Sequence, residues 1–310
     1  MKMARKRKGD PIHGWLIVDK PLGLTSSAVV GRVRRLFNAA KAGHGGTLDP
    51  MASGILPIAF GEATKTVSYV MDGIKDYQFT ICWGESRTTD DTEGEVTAVS
   101  EVRPDMVAIE TALAFFVGNI EQVPPIYSAI KVGGKRAYDL ARNNVAVELK
   151  PRTIHIKRFN LIGMPDRDHA TFEVVAGKGS YMRGLARDLA LHLGTVGHIT
   201  ALRRLKVGPF DAKCSISLEK LEAPGHSAQL ADHLLAVETA LDDIPALALT
   251  EEEARNLQHG RAISILPVAN RSSLKKVDPD AVYCAMSSGK LVALTKVVGG
   301  EVRPLRVMNM

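Results

Sequence analysis

The sequence predicts an α+β protein. Strand-like stretches follow one another in hairpin fashion rather than in strict β-α-β order, and the helices between them carry caps and apolar residues at helical spacing. Composition also changes near "LDDIPALAL", beyond which residues 247–310 have the pattern of a small, mainly β unit. At 310 residues the chain exceeds one average domain, so a large domain followed by a small one is the expected organisation, with a boundary at 245/246.

Each element has its own signal. The start of the chain has five basic residues in positions 1–9, no acid and no apolar partners, so a disordered tail over 1–10 is expected. "WLIVDKPLGLTSS" predicts a buried strand, a turn through Pro21 and Gly23, and a helix start with Thr25 or Ser26 as N-cap. That helix places Val29, Val30, Val33, Leu36 and Phe37 inward and Arg32 and Arg35 outward. "ILPIAFGEATKTVSYVMDG" predicts a strand, a glycine break and a helix. "YQFTICW" alternates, with Tyr77, Phe79, Ile81 and Trp83 on one face of a strand. An acidic turn at "GESRTTDDTEGEV" leads to another strand. In "RPDMVAIETALAFFVG", Pro104 marks a first helical turn, Met106, Ile109, Leu113 and Phe116 recur at helical spacing, and Gly118 ends the helix. Residues 122–150, with Pro-Pro, Gly-Gly and several basic side chains, predict a protruding, partly helical excursion. Strands are expected at 153–162 and 170–176, then a helix from "GKGSYMRGLARDLALHLG" with Met182, Leu185, Leu189 and Leu193 inward. In the C-terminal unit a short helix is expected at "TEEEARNLQHG" and strands at "AVYCAM", "KLVALTKV" and "VRPLRVM".

Composition narrows the function classes. Hydrophobic residues at 45% and charged residues at 24% are ordinary for a globular protein. No apolar run reaches the length of a transmembrane helix, and the basic start has no apolar segment behind it, so neither membrane insertion nor a secretory signal is indicated. Cys82, Cys214 and Cys284 lie far apart, without metal-ligand spacing, which suits reduced thiols in the cytoplasm. The net charge of +6 comes from the chain ends: residues 10–246 carry 26 basic against 28 acidic side chains. A polyanion site must therefore come from local clustering.

Three residues stand out chemically. Asp49 closes the glycine-rich "GHGGTLDPMASG" and precedes Pro50, which fixes its backbone in extended geometry. Most loop aspartates cap turns or helices, and Asp49 alone reads first as one of these. A phosphate loop fits poorly, since the lysine and following helix of such a loop are missing. Arg183 falls in the first turn of its helix, where the dipole disfavours a cation, and Arg187 one turn on adds a like charge. An anionic partner elsewhere would account for it, as would simple exposure to water. Tyr77 heads an alternating strand and reads first as a core aromatic. His44 reads as a loop histidine, with no residues at suitable spacing to join it on a metal.

The stretch "GHGGTLDPMASGILPIAFGEATK" resembles the catalytic motif of the bacterial tRNA pseudouridine-55 synthases, the TruB type. Collinear matches follow at "LIVDKPLGLTSS", "DYQFTICWGESRTTDDTEGE", "PPIYSAIKVGGKRAYDLAR", "GSYMRGLARDLA" and "LRRLKVGPF". The resemblance covers roughly residues 11–215. It implies a catalytic domain over 11–245 built on a mixed, largely antiparallel sheet with flanking helices, and a small mainly β PUA-like RNA-binding domain over 246–310.

The implied activity is isomerisation of one uridine in the T-arm of tRNA to pseudouridine, with no cofactor and no metal. By resemblance, Asp49 is the catalytic carboxylate, Arg183 pairs with it, and Tyr77 stacks on the target base. His44 fills the gap left by flipped nucleotides, while Lys20, Pro21, Tyr181 and Leu202 wall the pocket. The excursion at 122–150 corresponds to a flap whose Lys131 and Arg142 contact phosphates. The glycines around Asp49 are expected to give clearance for the flipped nucleotide. The implied partner is the T-arm stem-loop of tRNA, bound by a cytoplasmic monomer with no membrane and no obligate protein partner. An RNA binder that has lost the reaction, or a relative acting on another uridine, remains open at this point.

Overall fold

The runs "WLIV" and "ILPIAF" lack polar alternation because both become strands covered on two faces. Strands β1 (Gly14–Lys20) and β3 (Ala52–Phe60) are buried over nearly their whole length. Leu16, Val18, Leu56 and Ile58 face one apolar cluster, and Trp15, Ile17, Ile55 and Ala59 face another. The computed structural model describes residues 9–143, 145–223, 230–272, 274 and 276–310.

Between β1 and β3 lie α1 (Ser26–Leu36) and the short β2 (Ala42–His44). β3 continues through a 3-10 turn at Gly61–Lys65 into α2 (Val67–Asp72) and β4 (Lys75–Trp83). A separate hairpin, β5 (Glu85–Arg87) and β6 (Val96–Val99), precedes α3 (Met106–Leu113) and β7 (Gly118–Gln122). The excursion holds a second small hairpin, β8 (Lys131–Val132) and β9 (Lys135–Arg136), and α4 (Ala137–Arg142). Strands β10 (Arg152–Gly163) and β11 (His169–Ala176), helix α5 (Met182–His192) and β12 (Gly197–Val207) return the chain to the main sheet. β13 (Phe210–Asp211), β14 (Ser215–Ser217) and α6 (Leu218–Glu222) complete the large unit.

The main sheet has ten strands, with the order β14-β1-β3-β12-β4-β11-β10-β7; β2 pairs with β3 and β13 with β12. The β1–β14 and β3–β12 pairs are parallel and the rest antiparallel, so the α+β expectation of a mixed, largely antiparallel sheet holds. A five-stranded sheet forms the C-terminal unit, built from β15 (Ala246–Ala248), β16 (Ile263–Ser264), β17 (Val282–Ser287), β18 (Lys290–Val298) and β19 (Glu301–Val307), with α7 (Glu251–Gln258) and α8 (Ile265–Arg271) packed on it. Thr250 and Glu253 form a capping box on α7. Cys284, Leu291, Leu294 and Met308 of this unit share an apolar cluster with Trp15, Ile17, Ile55 and Phe210 of the large sheet.

Several local expectations change. Gly9 and Asp10 are not part of a free tail, since Asp10 bridges to Ala39 and its amide donates to the Asn38 carbonyl; residues 1–8 lie outside the described residues. Thr25 is the N-cap of α1, whereas Ser26 is buried and used elsewhere. Leu36 and Met106, the last residue of α1 and the first of α3, are exposed rather than inward. Pro104 precedes the true N-cap, Asp105, and a 3-10 turn at Ala114–Phe116 takes over where α3 ends. Gln122 is the buried end of β7 rather than the start of the excursion.

One glycine fixes the sheet. Gly54 has φ +103°, and a Cβ there would lie 2.2 Å from the Arg204 carbonyl oxygen on the neighbouring strand. Gly54→Ala is expected to destabilise the protein by about 3 kcal/mol or more, measured as a lowered urea midpoint. A wild-type midpoint would show that β3 and β12 can separate without cost.

Candidate active site

The loop that follows β2 owes its shape to contacts on both sides. Ser26 clamps it from α1, its hydroxyl donating to the Leu48 carbonyl at 3.0 Å and accepting from the Leu48 amide at 2.8 Å. The Pro50 carbonyl accepts from the Gly23 amide at 2.8 Å, which ties the same loop to the turn after β1. Asp49 therefore projects from a short segment held at both ends.

The glycines have a different use from the one expected. A Cβ at Gly45 would meet Val70, Pro57 and Trp15, and one at Gly46 (φ +128°) would meet the Arg204 side chain. Gly45, Gly46 and Gly54 thus give clearance for the protein's own packing; only at Gly43 is the adjoining space open.

Arg183 answers the puzzle of a cation at a helix start. Its side chain is 5% exposed, and its Nε donates to Asp49 Oδ2 at 2.9 Å. The other nitrogens donate to the carbonyls of Thr89 (2.7 Å) and Tyr127 (2.9 Å). A second carboxylate, the buried Asp91, stands 3.5 Å from the same Nε. Asp91 in turn accepts from the Thr89 hydroxyl at 2.5 Å and the Glu93 amide at 3.0 Å. Only the arginine of this pair is buried, so the geometry is held by the full set of acceptors around its guanidinium rather than by the Asp49 contact alone. Arg187 does not repel Arg183 without compensation, because its guanidinium meets Asp90 at 3.0 Å and Asp188 at 2.9 Å. Asp90 itself sits at φ +60°. Burial is the main reason its pKa rises to about 6, with Arg187 and Arg183 pulling it back.

Tyr77 and Arg204 are directly opposite in the β4–β12 pairing, and Gly54 and Lys20 continue the same row across β3 and β1. Side chains in one row rise on one face of a sheet. Lys20, Arg204 and Tyr77 therefore share a surface, with Gly54 leaving the gap between the two cations. Leu202 lies on that face as well, opposite Phe79 and Ala52. Arg204 is 1% exposed. Burial lowers its pKa, and Tyr77, through charge and a side-chain hydrogen bond, acts in the other direction.

The remaining predicted residues divide into two groups. His44 ends β2, and burial, then Arg204 and Arg136, lowers its pKa, so the ring is neutral at pH 7. Tyr181 is the N-cap residue of α5, and its backbone amide and carbonyl bond the Gln122 side chain at 2.9 and 3.0 Å. Pro21 is exposed, and its carbonyl accepts from Lys20 Nζ. Lys131 and Arg142 are exposed on the excursion, Arg142 over the Tyr138 ring; neither contacts Asp49 or Arg183 among the described residues. A cleft of about 480 Å³ is lined by Leu22, Met51, Gln78, Thr80, Leu202 and Arg203 among others, but not by Lys20, Asp49, Tyr77, Arg183 or Arg204. Asp91 and Arg204 were not singled out from sequence. Asp91 lies in what reads as an acidic turn, and Arg204 in a strand read only for Leu202.

Solved structures share this fold. A Cbf5–Nop10–Gar1 complex matches with a TM-score of 0.75 and 24% identity, covering 95% of this chain and 84% of that one. An H/ACA RNP bound to a substrate RNA containing 2′-deoxyuridine gives 0.74 and 21%, covering 99% and 92%. The architecture is the mixed-sheet fold of the pseudouridine synthases.

Residues 34–182 match the TruB family pseudouridylate synthase N-terminal domain, and 183–242 match the tRNA pseudouridylate synthase B C-terminal domain. The tRNA pseudouridine synthase B of Rhodospirillum rubrum is 59% identical over 99% of this chain and 100% of its own length. That of Caulobacter sp. is 52% identical over 99% and 100%. The chain belongs to the TruB family.

Lys20 gives the site a measurable pH signature. Its ammonium donates to the carbonyls of Pro21 (2.9 Å) and Leu24 (2.7 Å). Burial is the largest influence on it and takes its pKa from 10.5 to about 8, with Asp49 opposing and Arg204 adding to the fall. The unfolded chain therefore binds this proton more tightly, so stability rises with pH between about 8 and 10.5 and that gain is lost as pH falls through 8. Lys75, lowered to about 8 chiefly by burial, has the same sign. Lys20→Met is expected to lower the slope of urea-unfolding free energy against pH over this window by the share that Lys20 supplies. An unaltered slope would show that Lys20 is not desolvated.

Proposed function

We propose that this protein isomerises the uridine at position 55 in the T-arm of tRNA to pseudouridine, with Asp49 as the catalytic carboxylate. The observation that carries this reading is the 2.9 Å pair between Asp49 and the buried Arg183, with Tyr77 paired across the sheet to Arg204, which donates to the loop that carries Asp49. The reaction breaks the bond between uracil N1 and the ribose, turns the ring, and joins C5 to the same ribose carbon. The C5 proton leaves and N1 gains one, so atoms balance without oxidation or reduction. Asp49 supplies the charged oxygen at the sugar–base bond. Arg183 aims that oxygen, because its three remaining bonds and contacts leave it no freedom to turn. Tyr77 offers its ring to the extruded base, and Leu202, Lys20, Pro21 and Tyr181 wall the pocket around it.

A uridine inside a folded loop must be extruded, at a cost of a few kcal/mol. In this reading His44, neutral and with its Nδ1 buried and without a hydrogen-bond partner among the described residues, fills the space the flipped nucleotides vacate. The excursion grips the arm through Lys131 and Arg142. The working unit is a cytoplasmic monomer whose C-terminal sheet, over 246–310, adds RNA affinity. A binder that had lost the reaction would have no use for a buried arginine aimed at an acid beside a half-buried tyrosine.

Asp49→Asn is expected to abolish pseudouridine formation on an unmodified T-arm stem-loop while leaving RNA affinity close to wild type. Substantial residual pseudouridine, mapped by chemical probing, would end the proposed mechanism. Replacing Lys131 and Arg142 together by glutamine should instead weaken binding and reduce the slope of log affinity against log salt by about 1.5–2. A slope identical to wild type would show that these side chains do not meet phosphates.

A further inference from the structure

We infer that Arg204 is a positioning residue that holds the Asp49 loop and the Tyr77 ring in one fixed geometry, an inference that rests on the reading of Asp49 and Tyr77 given above. Its guanidinium is fully inside the protein, yet no carboxylate pairs with it among the described residues. It donates instead to backbone oxygens, from Nε to Ile55 at 2.8 Å, from Nη2 to Gly46 at 3.1 Å and from Nη1 to Thr47 at 3.4 Å. Gly46 and Thr47 belong to the loop that carries Asp49. Ile55 follows Gly54, whose missing side chain lets the Arg204 backbone approach.

A glycine-rich segment has little stiffness of its own. Here two of its carbonyls are anchored by charge-assisted bonds, which are stronger than neutral ones. The anchor stands directly across from Tyr77 in the β12–β4 pairing, so the two side chains rise next to each other on one face of the sheet. One side chain therefore reaches the loop of the acid and stands beside the aromatic ring. The offset between those two groups is set by the length and planarity of a guanidinium. A lysine ammonium is a single point and cannot span three carbonyls.

The test uses the full-length protein and unmodified T-arm RNA under single-turnover conditions. Arg204→Lys is expected to lower the rate about 100-fold, the cost of a misplacement of about 1 Å, with RNA affinity unchanged. In a Tyr77→Leu background the same substitution should cost markedly less, because the ring it positions is already gone. Equal losses in both backgrounds, or a loss confined to affinity, would overturn the inference. Should Arg204→Lys not fold, Arg204→Gln takes its place in both backgrounds, and equal losses or a wild-type rate overturn the inference. Asp49→Asn in the same assay separates the two levels. If it retains turnover, the reading of the site fails and this inference with it. If it is inactive while Arg204→Lys keeps its rate, only the role of Arg204 fails.

Discussion

Three residue pairs, Leu202–Ala52, Arg203–Ser53 and Arg204–Gly54, join the two halves of the large sheet. On one side of this parallel junction lie β1, β2, β3 and β14; on the other lie β12, β4, β11, β10 and β7. The acid comes from the first half, in the loop between β2 and β3. Tyr77 and Arg204 come from the second half, and Arg183 from the helix between two of its strands. Parallel pairing is slightly weaker per residue than antiparallel, so so short a seam would be a poor support by itself. It is reinforced by close backbone approach at Gly54, by Arg204 donating across it, and by Asp49 pairing with Arg183. The Arg203–Asp19 ion pair at 2.7 Å also crosses it. The groups that do chemistry in this reading are thus the same groups that keep the halves in register.

The electrostatics of the site follow from how its cations are satisfied. Lys20 and Arg204 are both buried and donate chiefly to carbonyl oxygens. Carbonyls meet the hydrogen-bonding need of a cation without cancelling its charge, unlike a carboxylate partner. The row Lys20–Gly54–Arg204–Tyr77 thus holds two cations with no carboxylate bonded to either among the described residues, although residues 10–246 carry more acids than bases. A polyanion can be drawn to such a place by local fields that the net charge of the chain does not register.

How far the sequence could be read depended on the range of the interaction concerned. β4 and α5 follow from periodicity, since Phe79, Ile81 and Trp83 alternate and Leu185 and Leu189 lie on one helical face. Arg183 could be flagged because a helix dipole is a local property. Its partner could not, because the pair spans 134 positions and no local rule joins them. Asp91 was hidden for a related reason: acids in turns are ordinarily solvated, and only the packing of α5 against the loop buries this one. The glycines misled in a third way. The sequence states that side chains are absent there, but not what occupies the space, and Val70, Trp15 and Arg204 occupy it. Arg204 sits in a strand where alternation predicts an inward residue. An arginine on that face becomes intelligible only when the carbonyls of Gly46 and Thr47 are seen to await it.

The alternation of β1 and β3 also couples the C-terminal sheet to this site. Along β1 the even positions up to Lys20 face the site and its core, and the odd positions Trp15 and Ile17 face the other cluster, which includes Leu291, Leu294 and Met308. The "GEATK" turn after β3 fastens the same contact, because Lys65 donates to the Val307 carbonyl at 2.6 Å and Glu62 accepts from the Asn309 amide at 2.8 Å. Glu62 and Lys65 bind each other as well, so the turn meets the last strand as a paired unit rather than as two separate charges. A strand has only two faces, and here one is committed to the acid's surroundings and the other to the small sheet.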